Sequence, residues 1–150
     1  MPGLPDPRAA SEDDRIVHAS TVAVAGCAAM IRGASGSGKS TLALEMIALG
    51  AVLVADDRTH LRRAGAAVLA EAPEAILGRI EARGVGLLAA PTAGPVPLIL
   101  VVDMDAGPPA RLPEPRETEI LGLSLPLVEN PRAPHFPAAL MLYLKHGRVG

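Results

Sequence analysis

Gly33-Ala34-Ser35-Gly36-Ser37-Gly38-Lys39-Ser40-Thr41 matches the spacing G-x-x-x-x-G-K-[ST] of a phosphate-binding loop. Glycine lets successive backbone N–H groups turn inward toward phosphate oxygens, an approach a Cβ would obstruct. Lys39 is expected to reach the β- and γ-phosphates of a nucleotide, and the Ser40 hydroxyl to ligate Mg²⁺. The bland alternative is a Gly/Ser turn, and context decides between the two. A phosphate-binding loop follows a strand and opens a helix, so that the positive helix end faces the anion.

That context is present. Ala28 to Arg32 is a short apolar run suited to a buried strand. Leu42, Leu44, Met46, Ile47 and Leu49 then recur at helical spacing, and Gly50 is placed to end the helix. Ala51 to Ala55 is a continuous apolar strand ending in Asp56-Asp57. In an α/β nucleotide site, carboxylates at the end of a buried strand supply a Mg²⁺ ligand or a base. Asp-Asp-Arg is also a common surface turn, but the apolar strand before it favours the functional reading.

His18 falls within Ile16 to Ala25, an alternating stretch expected to form a first strand that Gly26 turns into the strand feeding the loop. By position alone His18 is an ordinary strand histidine, and Arg79 to Gly86 (RIEARGVG) an ordinary charged turn. Thr59 to Arg63 and Ala66 to Ala70 form a second hairpin about Gly65. Pro73 to Leu77 allows one helical turn, and Leu98 to Val102 is another buried strand. Asp103 to Pro115 is a loop containing Arg111. One or two strands occupy Glu117 to Leu127, and a short helix Ala138 to Lys145 ends near Gly147. The fold class is α/β: a β-rich core with the phosphate-loop helix and a C-terminal helix packed on it.

Composition narrows the partners. At 150 residues the chain suits one domain. A net charge of −2 gives no reason to propose nucleic acid or an anionic membrane. Phe136 and Tyr143 are the aromatic residues, too few for a base-stacking platform. The single Cys27 excludes an internal disulfide and a cysteine cluster for zinc, as in a reducing compartment. No signal peptide or membrane-length apolar run is found, so a cytoplasmic protein is expected. Residues 1–14, rich in Pro, Asp and Glu, are expected to form a disordered tail ahead of a domain over 15–150.

Taken in order, His18, GASGSGKS, Ala55-Asp56-Asp57-Arg58 and Ile80-Glu81-Ala82-Arg83-Gly84-Val85-Gly86 resemble the catalytic domain of HPr kinase/phosphorylase, over about residues 15–145. The resemblance implies a P-loop fold like that of phosphoenolpyruvate carboxykinase. It also implies ATP-dependent phosphorylation of a serine of HPr, the phosphocarrier of the bacterial sugar phosphotransferase system, and often the reverse reaction with inorganic phosphate. Carried over residue by residue, Lys39 and the loop amides hold the transferred phosphoryl group, and Ser40 and Glu81 hold Mg²⁺. Asp57 is the base, His18 lies near it and counts as catalytic, and Arg111 in Ala-Arg-Leu contacts phosphate or substrate. The family is hexameric, so a homo-oligomer is expected. The chain resembles a short form consisting of the catalytic domain alone. It departs from the family in a short Pro91 to Pro95 loop, and in Pro131 to Phe136, where Arg132 is what remains of a loop tied to dephosphorylation. A small-molecule kinase and a nucleotide-sensing scaffold are the competing readings.

Overall fold

The structure, a computed structural model, describes residues 13–150. Residues 1–12 of the expected tail lie outside the described residues, and Asp14 itself opens the first strand. The elements in chain order are β1 (Asp14–Val17), β2 (Ala19–Val24), β3 (Cys27–Arg32), α1 (Lys39–Ala48), β4 (Val52–Ala55), β5 (Thr59–Ala64) and β6 (Ala67–Glu71). A 3-10 turn (Glu74–Ile76) follows, then β7 (Arg79–Ala82), β8 (Gly86–Ala89), β9 (Val96–Asp103), β10 (Arg116–Ile120), β11 (Leu123–Glu129) and α2 (Phe136–His146).

β2 and β3 form a hairpin whose turn residues, Ala25 and Gly26, both have positive φ. That is the turn whose twist suits a two-residue hairpin loop. β3 runs parallel to β9, and β2 pairs on its far side with β4. β3 is buried on both faces. Ala29 and Ile31 pack with Leu42 and Met46 of α1 and Leu140 and Leu144 of α2. Ala28 and Met30 pack with Leu61, Val68 and Ala70 of the β5–β6 hairpin. Each large apolar side chain buried here contributes about 1.5–3 kcal/mol.

β9 is longer than expected and belongs to two ladders. Its start, Val96 and Pro97, pairs antiparallel with β6; its end, Val101 to Asp103, pairs parallel with β11. Between them Ala28 faces Leu98 while Ala29 faces Leu100, so Ile99 is the extra residue of a bulge. Ile99 and Leu100 therefore both face the helices, whereas Leu98 and Val101 face the other way. A bulge bends and twists its strand, which lets one sheet curl into two layers.

The expected first strand is two strands, broken at His18. β1 pairs with β5, while β2 pairs with β3 and β4. On the facing chain, β4 and β5 are separated by Asp56 to Arg58. Both chains change ladders at the same level, and this sets His18 opposite Asp57. α2 begins at Phe136, two residues ahead of the expected start, with Pro137 in its first turn. Proline is tolerated there because that N–H has no helical acceptor. No helix among the described residues is long and apolar enough to cross a membrane.

Candidate active site

α1 starts at Lys39, with Gly38 as its N-cap at φ 99 and no capping side chain. Its first-turn N–H groups are thus left to an anion. Gly33 has to be glycine. At φ 155, a Cβ there would lie 2.7 Å from Ser37 Oγ and 3.0 Å from Met104 Cβ. Lys39 is 5% exposed, and its Nζ donates to Gly33 O (2.8 Å) and Ala34 O (3.1 Å). The ammonium closes the loop on itself with two of its three hydrogens, leaving one for a phosphate oxygen. Asp105 Oδ2 accepts from Ala34 N at 2.8 Å and ties the loop to the segment after β9.

A cleft of about 330 Å³ opens over this loop, lined by Ser35, Gly36, Gly38, Lys39, Ser40, Thr41, Asp56, Asp57, Glu81 and Arg83. Gly33, Ala34 and Ser37 do not line it. Asp56 organises the cleft. Its Oδ1 accepts from Ser40 Oγ (2.6 Å) and Ser20 Oγ (2.9 Å), and its Oδ2 accepts from Glu81 N (3.0 Å). One carboxylate, 9% exposed, thereby locks together α1, β2 and the β7–β8 hairpin. Charge-assisted bonds of this kind are about twice as strong as neutral ones.

Asp57 turns the other way. It has φ 67, a left-handed conformation that Asp tolerates better than most residues. Its N–H donates to Ser20 Oγ at 3.1 Å. Its Oδ1 is 2.6 Å from His18 Nε2, and both side chains are about half exposed, 53% and 58%. The two adjacent carboxylates are divided between roles: Asp56 is inside and tied by three hydrogen bonds, while Asp57 stands at the mouth beside a histidine, its second oxygen uncommitted among the described residues.

The cleft offers hard oxygen donors in Ser40 Oγ, Asp56 and Glu81. This set fits Mg²⁺, which keeps several waters and is held by one or two carboxylates together with phosphates rather than by a protein cage. No group of three or more His, Cys, Asp or Glu side chains suited to a metal occurs among the described residues.

Arg111 is not brought to this cleft. Its loop folds back against β11 and the start of α2, and Arg111 lines a separate groove with Glu114, Arg116, Glu129 and Arg148. The arginine that does line the cleft is Arg83, in the turn of the β7–β8 hairpin. Sequence reasoning named the stretch containing Arg83 but gave that residue no role. Ser20 was missed as well. A small hydroxyl residue in an apolar strand carries no distinguishing signal, and only the pairing of β2 with β4 sets it beside Asp56.

A glycine-rich loop between a buried parallel strand and a helix, with carboxylates at the end of a neighbouring strand, defines a P-loop phosphate-binding domain. The family model described as HPr Serine kinase C-terminal domain matches residues 10–93, and the chain belongs to that family. The HPr kinase/phosphorylase of Caldicellulosiruptor bescii is 44% identical over 72 residues, 47% of this chain and 23% of the relative. That of Bordetella pertussis is 44% identical over 73 residues, 48% of this chain and 24% of the relative. The matched stretch thus spans about a quarter of these relatives' own length. The Hpr(Ser) kinase/phosphatase from Coxiella burnetii shares the fold, with a TM-score of 0.74 at 22% identity, covering 87% of this chain and 94% of that one.

Proposed function

We propose that this chain is an ATP-dependent kinase that phosphorylates a serine of HPr or a close paralogue, and so takes part in regulating the sugar phosphotransferase system. The observation that carries the reading is the His18–Asp57 pair, 2.6 Å apart at the mouth of the phosphate-loop cleft. A protein that only sensed nucleotide would have no use for a carboxylate with a free oxygen on the acceptor side.

Phosphoryl transfer asks for positioning and charge neutralisation more than for covalent help. Lys39, the first-turn amides of α1 and Arg83 would hold the phosphates and offset their charge. Mg²⁺, held by Ser40 and Glu81 with Asp56 behind Ser40, would supply Lewis-acid stabilisation of charge on the transferred group. Asp57 would accept the proton of the serine hydroxyl as the new oxygen–phosphorus bond forms and the bond to the departing diphosphate breaks. His18 would fix the Asp57 carboxylate through Oδ1 and leave Oδ2 for the hydroxyl. In a loose transition state the base needs hydrogen-bond reach rather than strength.

The reading places the chain in the cytoplasm, and as a homo-oligomer. Support for the latter is the apolar surface that Val85, Leu87 and Leu88 expose on the β7–β8 hairpin, with light scattering as the check. The activity test is label transfer from ATP in the presence of Mg²⁺ to HPr, with a Ser→Ala HPr as control. Label on HPr that is absent from the control supports the kinase, and inorganic phosphate added afterwards tests the reverse direction. Tight ATP binding without transfer would favour the sensing reading.

A further inference from the structure

β1 is a short edge strand, paired among the described residues with β5 alone. Asp14, Arg15 and Ile16 are exposed and Val17 is half-buried, so apolar burial does little to hold the strand that leads into His18. Side chains supply a clamp instead. His60 of β5 lies opposite Ile16 of β1 on one side and Glu71 of β6 on the other. Its Nε2 donates to Asp14 Oδ1, and its Nδ1 lies 3.2 Å from Glu71 Oε1. One imidazole thus ties the edge strand to the two strands behind it. We propose that His60 is a positioning residue, which through Asp14 and β1 holds His18 on Asp57. The inference rests on the kinase reading above.

The chain on either side of His18 is anchored unequally. Ala19 is buried, and its carbonyl accepts from Thr59 Oγ1 at 2.9 Å within the core. Thr59 Oγ1 also meets Thr21 Oγ1 at 2.9 Å. On the other side, β1 rests on its backbone pairing with β5, from Val17 opposite Thr59 to Asp14 opposite Arg62, on one further bond from Arg63 N to Asp13 O, and on the clamp. Exposed pairing with few apolar contacts opens more readily than buried pairing. When β1 lifts from β5, His18 keeps one fixed neighbour, and the reach of its ring to Asp57 is no longer set.

Asp57 has its own anchor, since its N–H donates to Ser20 Oγ of the fully buried β2. The variable half of the pair is therefore His18. His60 does not line the phosphate cleft, so its influence on transfer runs through β1 and not through contact with nucleotide.

The test uses the unsubstituted chain, His60→Ala, Asp14→Ala and the double variant. On each, single-turnover transfer of label from ATP to HPr, ATP affinity by calorimetry and the imidazole NMR cross-peaks of isotope-labelled protein are measured. The chain has four histidines, so the spectrum is simple to assign. In His60→Ala transfer should fall about tenfold to a hundredfold, the scale on which a misplacement of about 1 Å acts, with ATP affinity nearly unchanged. The His18 cross-peaks should move toward their positions in Asp57→Ala, while those of His135 and His146 stay. Asp14→Ala should reproduce both effects, and the double variant should be no worse than either single one, because one clamp is lost once. Unchanged transfer in His60→Ala, transfer lost with the His18 cross-peaks unmoved, ATP affinity lost in step with transfer, or additive losses in the double variant each overturns the positioning role and leaves the kinase reading standing. An unsubstituted chain that transfers no label to HPr overturns the kinase reading and this inference with it.

Discussion

Replacing the two adjacent carboxylates one at a time should have very unequal effects on stability. In Asp56→Asn, the amide oxygen can occupy the Oδ1 position and keep Ser20 and Ser40, but its NH₂ then faces Glu81 N–H, donor against donor. Ser20 is fully buried. The two retained bonds lose their charged acceptor, and hydrogen bonds to charged groups are worth about 1.5–3 kcal/mol against about 1 for neutral ones. The Glu81 N–H left without an acceptor adds about 1–3 kcal/mol. The sum is roughly 2–7 kcal/mol, a large part of the ~5–15 kcal/mol that holds a domain together. Asp57→Asn touches a half-exposed pair with His18, worth about 1 kcal/mol or less. With a urea slope of about 2 kcal/mol per molar, the Asp56→Asn midpoint should fall by roughly 1–3.5 M and that of Asp57→Asn by under about 0.5 M. Equal shifts, or a larger one for Asp57→Asn, would refute the assignment of Asp56 as the internal tie.

Gly33→Ala should lose phosphate binding and about 1–3 kcal/mol of stability, because its Cβ has no room beside Ser37 and Met104; tripolyphosphate titration and urea unfolding check both parts. Ser40→Ala removes the hydroxyl donated to Asp56 and should lower ATP affinity in Mg²⁺ about tenfold while changing it little in excess EDTA, a contrast calorimetry can read.

The phosphate loop was legible because its chemistry is local: glycines, a lysine and a serine at fixed spacing between two apolar runs. The hairpins about Gly26 and Gly65 and the strand ending in Asp56-Asp57 were legible for the same reason. What escaped depends on pairing between distant segments. Nothing in Ile16 to Ala25 marks a break at His18, since the residue is polar in an alternating strand; the break exists because β1 and β2 join different ladders. The bulge at Ile99 is equally silent in LILVV, an unbroken apolar run that fits either register. Arg111 was carried over on a tripeptide in a loop, and the path of a Pro-rich loop is set by what it packs on, here β11 and α2. Arg83 sits in a charged, Gly-rich turn whose composition does not distinguish a cleft from open solvent.

The central claim is that Asp57 at the mouth of the loop makes this cleft a site of transfer rather than of binding alone. Its most direct test measures, on the same preparations of the unsubstituted chain and Asp57→Asn, both ATP affinity and the single-turnover transfer of label from ATP to HPr. The account predicts transfer to the HPr serine by the unsubstituted chain and, for Asp57→Asn, nearly unchanged ATP affinity with transfer reduced by about two to four orders of magnitude, the range a positioned base contributes. Undiminished transfer by Asp57→Asn would contradict it.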